Sequence, residues 1–143
     1  MKTKFFLYFF LLPIMLFAQL NPQSKKLTKK FFPDPNIEIN TPAFNKKKGF
    51  TKYDEMMSFL NEQIANHSDV VKLEFVGESQ KGKQIPMLFF DRKNSNEKVK
   101  VFFQAGLHGN EPASTEGILY FIDQILNNEK YNKLLDRITL AII

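Results

Sequence analysis

One stretch of this 143-residue chain, residues 101–128, constrains the fold more than any other. It begins with a short apolar run, VFF, of the kind that fills a buried strand. The apolar character stops at residues 105–112, AGLHGNEP, and returns after Pro112 at helical spacing. The pattern predicts a strand, a tight loop and a helix. Ligands of open sheets covered by helices bind where strands end and helices begin, so we expect a functional site at this loop.

Two residues of the loop, His108 and Glu111, have side chains that bind metal ions. A spacing of three places them on one side of a helical turn, and a catalytic zinc takes imidazole and carboxylate ligands while keeping one position for water. Gly106 and Gly109 let the backbone turn sharply on both sides of His108, and Pro112 suits a first helical turn. The alternative is a chance pair in which Glu111 only complements the positive end of the helix.

Two motifs carry a resemblance to a known family. The segment QAGLHGNEPASTEG resembles the first zinc motif of the zinc metallocarboxypeptidases, the carboxypeptidase A-like family. Its residues HGNEP are closer to those of the bacterial members of that family. Upstream, residues 76–85, VGESQKGKQI, resemble that family's Gly-x-Ser-x-x-Gly-Arg-x-Ile turn between the first two strands, with Lys83 where Arg is usual. The two motifs stand in the family's order, and the resemblance covers roughly Thr51 to the end.

The resemblance implies an α/β fold, the N-terminal part of a mixed-sheet carboxypeptidase-like sandwich that is truncated after its fourth strand. It implies Zn²⁺ as cofactor, His108 and Glu111 as two zinc ligands, and a peptide as substrate. The implied reaction is zinc-dependent hydrolysis of peptide bonds, in which zinc polarises the carbonyl and activates water while a Glu serves as general base. We find no match for that Glu, for the third zinc ligand or for a carboxylate-binding Arg, and no His follows His108. These 143 residues are therefore expected to be inactive by themselves, with no catalytic residue assigned.

Two alternatives remain open. One is an N-acyl amino acid deacylase of the same superfamily, which uses a similar HGNE motif, although the turn at residues 77–85 favours the peptidases. The other is a non-catalytic exported module that binds a peptide or a piece of cell wall. Neither the preferred substrate side chain nor the oligomeric state is predicted.

The two ends of the chain have distinct patterns. Residues 1–18 have a short basic start, an apolar run and a small residue, Ala18, before Gln19, which is typical of a secretory signal peptide. The apolar run is too short for a comfortable membrane span, so we expect export to the periplasm or the exterior without stable membrane insertion. An uncleaved anchor is the alternative. Residues 137–143 form an apolar run without a polar exit, which indicates truncation.

Charge separates a lead-in, residues 19–50, from the domain that follows. The formal net charge is +5, and the lead-in holds seven Lys against two acidic residues, whereas residues 51–143 hold 11 basic and 13 acidic residues. Nucleic-acid binding requires basic residues on a folded face, so we exclude nucleic acid as a partner. With Pro at four positions the lead-in is predicted to be irregular, lying across the domain through Phe31, Phe32 and Phe44. The absence of Cys excludes disulfides.

The catalytic-domain portion, residues 51–143, is predicted to begin with a helix capped by Thr51. The further elements are a strand at 70–76, a turn at 77–83, a strand at 84–91, a connection of hairpin length at 92–97, a strand at 98–104, the loop and helix to about 128, an amphipathic piece at 130–136 and a strand from 137.

Three further polar residues are not assigned to the site. His67 lies in the polar exit of the first helix, where a His more often meets backbone carbonyls or water than a metal. Glu116 lies five residues beyond Glu111, off its face of the helix, and Asp123 is predicted to face solvent. None of the three is expected to bind metal or to take part in catalysis.

Overall fold

A computed structural model describes residues 24–94 and 97–143. The chain divides into two compact units, Met1–Ile37 and Glu38–Ile143. The signal peptide predicted at residues 1–18 lies outside the described residues. Among the described helices, none is long and apolar enough to cross a membrane.

In the first unit, a short helix, α1, occupies Lys25–Phe31. The Ser24 hydroxyl accepts a hydrogen bond from the Leu27 amide at 3.3 Å, which satisfies one of the free amides at the helix start. Lys29 and Lys30 lie in the last turn, where positive charge is favourable. This part of the lead-in is therefore helical where irregular structure was predicted, because capping and charge support a helix that buries no residue.

The second unit is an α/β domain with one four-stranded mixed sheet, as predicted. In chain order its elements are α2 at Tyr53–Asn66, β1 at Val71–Glu78, β2 at Gln84–Phe90, β3 at Val99–Phe103, α3 at Pro112–Asn127, α4 at Glu129–Asn132, a 3₁₀ turn at Lys133–Asp136 and β4 at Ile138–Ile142. The strand order is β1-β2-β4-β3. β2 is antiparallel to both neighbours, and β3 is parallel to β4.

The connection from β2 to β3, described above as of hairpin length, joins strands that are not neighbours in the sheet. β4 lies between them, and the parallel pair β3 and β4 is joined by a crossover that contains α3. Two charged side chains in the described part of this connection form ion pairs. Arg92 bonds Asp136 at 3.1 Å, just before β4, and Lys98 bonds Asp91 at 2.8 Å. The Lys98 side chain is 7% exposed.

The core lies between one face of the sheet and the helices. Leu88 pairs with Ile142 and Phe90 with Leu140, and all four side chains are buried. Helices α2 and α3 add the buried apolar residues Phe59, Leu60, Leu119, Ile122, Ile125 and Leu126. Each large apolar side chain buried in this way contributes about 1.5–3 kcal/mol. On the other face Phe102 pairs with Ala141 and stays 56% exposed.

Pro86 lies in a part of β2 that is paired on one side and not on the other. It lies opposite Phe75, where the register between β1 and β2 shifts before Gly77. β4 pairs only with residues 88–90 of β2, so the missing amide hydrogen of Pro86 does not interrupt that ladder.

The start of α2 differs in detail from the prediction. Lys52, not Thr51, is the N-cap residue, and the Glu55 carboxylate accepts the Lys52 amide hydrogen at 2.7 Å. A side-chain hydrogen bond from Lys46 and the backbone amide of Lys52 together lower the pKa of Glu55. Thr51 instead binds α3, donating its amide and its hydroxyl to the two carboxylate oxygens of Glu116 at 2.7 and 2.8 Å.

The prediction that Asp123 faces solvent is wrong. Asp123 is 7% exposed and Glu116 9% exposed, although both are acidic. Asp123 accepts hydrogen bonds from the side chains of Gln124 and Asn127, each at 3.0 Å. Asn127 also donates to Gln63 of α2 at 2.9 Å, so this side of α3 faces α2.

Candidate metal centre

His108 and Glu111 lie on the loop between β3 and α3. The imidazole Nδ1 of His108 is 3.1 Å from the carboxylate Oε2 of Glu111. Their side chains are 62% and 61% exposed, so the pair faces solvent. The structure thus brings together the two residues that the sequence singled out, on the predicted strand-loop-helix unit.

The loop leaves the sheet through a turn that requires glycine. The Ala105 amide donates to the Ile143 carbonyl at 2.8 Å, which extends the parallel ladder past the last residues of β3 and β4. Gly106 then adopts a φ of +64°, in the left-handed region that side chains disfavour. Gly109 does not adopt a positive φ. Of the two glycines predicted as pivots, Gly106 is therefore the one whose conformation demands the residue.

Glu111 is the N-cap residue of α3, and Pro112 is its first residue, as predicted. The Glu111 side chain makes no cap hydrogen bond with the helix and turns towards His108 instead. Its amide donates to the His108 carbonyl at 3.1 Å, which closes a tight turn between the two residues. The backbone itself therefore brings these two side chains to the same side of the loop.

A polar residue of α3, Ser114, ties the loop to the helix. Its hydroxyl accepts a hydrogen bond from the Gly106 amide and donates one to the Glu111 carbonyl, both at 3.0 Å. Ser114 was not among the site residues predicted from the sequence. The available signal was a serine three residues after the N-cap, because serine hydroxyls often bond backbone groups at helix starts.

The donor set fits a zinc ion. Imidazole nitrogen and carboxylate oxygen are both common zinc ligands, and two atoms bound at about 2.0–2.2 Å to one tetrahedral zinc lie about 3.4 Å apart. The separation of 3.1 Å between His108 Nδ1 and Glu111 Oε2 is close to that value. In residues 24–94 and 97–143 no group of three or more His, Cys, Asp or Glu side chains is arranged to hold a metal. The described part of the chain thus brings together two side chains of the types that bind zinc, His108 and Glu111, without a third.

An apolar cleft of about 420 Å³ borders the start of the loop. It lies beside residues 104–107 and is lined further by Met56 and Leu60 of α2, Leu88 of β2 and Ile142 of β4. Sites for small ligands combine such an apolar wall with a few polar groups. His108 and Glu111 therefore lie on a loop with solvent on one side and an apolar cleft beside its first residues.

His67 belongs to a separate network at the ends of the two long helices. Its Nε2 lies 2.9 Å from Oδ1 of Asn127. The amide nitrogen of Asn127 donates to Asp123, an acceptor, so its oxygen faces His67 and His67 must carry a proton on Nε2. The predicted partners, backbone carbonyls or water, are replaced by a side-chain amide. His67 takes part in helix packing through this bond.

Comparison with known proteins identifies the family to which this chain is similar. The profile of the family described as zinc carboxypeptidase matches residues 56–143, which include β1 to β4 and the His108 loop. A probable carboxypeptidase 2 of Trichophyton verrucosum is 26% identical over 131 residues, covering 78% of this chain and 25% of that protein. Carboxypeptidase D of Anas platyrhynchos is 31% identical over 101 residues, covering 66% of this chain and 7% of that protein. The chain thus spans at most about a quarter of these relatives.

Solved structures agree with the fold. Carboxypeptidase A of Helicoverpa armigera superposes with a TM-score of 0.61 at 21% identity, covering 82% of this chain and 30% of that one. The thrombin-activatable fibrinolysis inhibitor superposes with a TM-score of 0.62 at 17% identity, covering 72% of this chain and 26% of that one. The family profile spans more than half of the chain, including the loop with His108 and Glu111, and the chain therefore belongs to the zinc carboxypeptidase family.

Proposed function

We propose that the whole protein is a zinc-dependent hydrolase of peptide bonds, of the metallocarboxypeptidase type, and that His108 and Glu111 are two of its zinc ligands. The observation that carries the proposal is the 3.1 Å approach of His108 Nδ1 to Glu111 Oε2 on a loop that follows a sheet strand. Membership of the zinc carboxypeptidase family and the carboxypeptidase names of the relatives support the substrate class.

The two side chains have defined tasks in this proposal. His108 binds through Nδ1, so its proton resides on Nε2, and Glu111 supplies negative charge. Their exposure of about 60% leaves the loop open to a substrate arriving from solvent. Zinc, when bound, supplies the Lewis acidity that polarises a carbonyl oxygen and makes water more acidic. The orientation of the pair is the contribution of the residues described here.

The remaining groups are proposed to come from other parts of the whole protein. A catalytic zinc site usually has three protein ligands, and the described residues hold no group of three. The sequence has no Cys, and its one other His, His67, is hydrogen-bonded to Asn127. We therefore place the third ligand and the general base outside these 143 residues, and we propose that this stretch alone is inactive. No observation favours the deacylase or the non-catalytic module.

A cleavage assay of the whole protein tests this function. We expect release of the C-terminal residue from a peptide with a free terminal carboxylate and little cleavage of the same peptide with an amidated terminus. A chelator should abolish the activity, and added zinc should restore it, because the ligand pair suits zinc. Full activity after exhaustive chelation, with no zinc left in the sample, would contradict the proposal.

We also propose that the protein is exported and loses residues 1–18. The basic start and apolar run of the leader support this proposal. N-terminal sequencing of the mature protein should give a start at or near Gln19. A protein that retains Met1 and stays in the membrane fraction after carbonate washing would instead have an uncleaved anchor.

A further inference from the structure

The hydroxyl of Ser114 joins both ends of the segment that carries the ligand pair. It accepts a hydrogen bond from the Gly106 amide, where the loop leaves the sheet, and it donates one to the Glu111 carbonyl, where the helix begins. A serine hydroxyl has one hydrogen to donate and two lone pairs to accept with, so both bonds can exist at once. Residues 106–111 are therefore closed into a ring by one side chain.

Few other contacts restrain the side chains of this loop. Glu111, the N-cap residue, makes no side-chain cap bond, and Pro112 has no amide hydrogen to offer the loop. His108 and Glu111 are both more than half exposed, so packing restrains them little. Gly106 has no side chain, and its positive φ is a conformation that glycine leaves readily. Hydrogen bonds to the two ends are then the natural means of holding the ligand atoms together.

We propose that Ser114 is the positioning residue of the metal centre: by holding Gly106 and the Glu111 carbonyl, it keeps His108 Nδ1 and Glu111 Oε2 at ligating separation before metal binds. The inference rests on the proposed function, because it concerns the same two ligands. Ser114 acts through the backbone and touches neither the metal nor the substrate. Supporting partners of metal ligands typically contribute about 10–100-fold to metal affinity, and an ordered ligand pair loses less entropy on binding.

Three variants of the whole protein separate the hydroxyl from other effects. Ser114→Ala removes both hydrogen bonds, whereas Ser114→Thr keeps a hydroxyl that can bond a carbonyl one turn back in a helix. Ser58→Ala is the matched control, because Ser58 is also an exposed helical serine, on α2. The measurements are the zinc dissociation constant, by competition with a chromophoric chelator, and hydrogen exchange of the Gly106 amide in the zinc-free protein.

We expect Ser114→Ala to weaken zinc binding by about tenfold or more and to speed exchange of the Gly106 amide. Ser114→Thr and Ser58→Ala should remain within about twofold of the wild type in affinity, well below the loss expected for a positioning residue. The exchange measurement is also informative on the wild type alone, whether or not the variant folds. If the Gly106 amide exchanges at the rate of a free peptide, the hydrogen bond from Gly106 to Ser114 does not form and the inference is overturned.

His108→Ala, measured beside these variants, distinguishes a failure of the role of Ser114 from a failure of the proposed function. If it abolishes zinc binding while Ser114→Ala keeps wild-type affinity, the role of Ser114 is wrong and the proposed function stands. If His108→Ala keeps wild-type zinc affinity, the proposed function fails, and the role of Ser114 fails with it.

Discussion

At the scale of single residues, two glutamates of α3, Glu111 at its N-cap and Glu116 within it, differ in burial and in the role we assign to them. Glu111 is exposed, and its carboxylate lies beside His108. Glu116, five residues later, is 9% exposed, and both of its oxygens accept hydrogen bonds from Thr51. A buried carboxylate with its oxygens satisfied stabilises the fold, whereas an exposed one beside an imidazole is available to a metal.

The substitution of Glu by Gln should therefore change a different property at each site: stability at Glu116 and zinc affinity at Glu111. Glu116→Gln replaces an acceptor oxygen with an amide group that cannot accept, and hydrogen bonds to charged groups contribute about 1.5–3 kcal/mol each. We expect it to lower the free energy of unfolding by that order and to leave zinc affinity of the whole protein unchanged. Glu111→Gln should change stability by less than about 0.5 kcal/mol, as exposed substitutions do, and weaken zinc binding.

Denaturant titration and a zinc competition assay provide the two measurements. The assignment of roles is wrong if Glu111→Gln destabilises the fold as much as Glu116→Gln, or if Glu116→Gln is the variant that loses zinc.

At the scale of elements, the unit of β3, loop and α3 could be predicted because its pattern is local. The change from an apolar run to helical spacing marks the strand and the helix, and a spacing of three placed His108 and Glu111 together. The order of the strands could not be read in this way, because β4 inserts between β2 and β3 through pairing across long sequence distances. The burial of Asp123 was missed for a similar reason: the helical pattern shows the face towards the sheet and not the contact with α2.

The positive φ of Gly106 in the loop leads to a further prediction. Gly106 has a φ of +64°, and an added Cβ would meet Thr115 Oγ1 at 3.5 Å, an ordinary contact. The cost of Gly106→Ala should thus come from the backbone, about 1–2 kcal/mol. Gly109→Ala is the matched control, because Gly109 has no positive φ and a Cβ there would meet no atom within 4 Å.

We expect thermal or denaturant unfolding to show a loss of stability for Gly106→Ala and a change below about 0.5 kcal/mol for Gly109→Ala. Equal losses at the two positions would show that the left-handed turn at Gly106 is not what shapes the loop.

At the scale of the whole molecule, the described domain supplies a sheet and a helix that together hold the loop of the proposed ligands His108 and Glu111. The sheet holds one end of the loop through the Ala105 bond to Ile143, and α3 holds the other through Ser114. The relatives that share this stretch are about four times its length or more. The sequence motif singled out His108 and Glu111, but it could not indicate further ligands of a zinc centre, and among residues 24–94 and 97–143 no third candidate ligand joins the pair.

The most direct test of the central claim is the zinc content of the whole protein after dialysis against metal-free buffer. The wild type and His67→Ala should each retain close to one equivalent of zinc, because His67 serves helix packing through Asn127. His108→Ala should retain almost none, because it loses one of the ligands that the loop holds in place. A His108→Ala protein with the zinc content of the wild type would contradict the account.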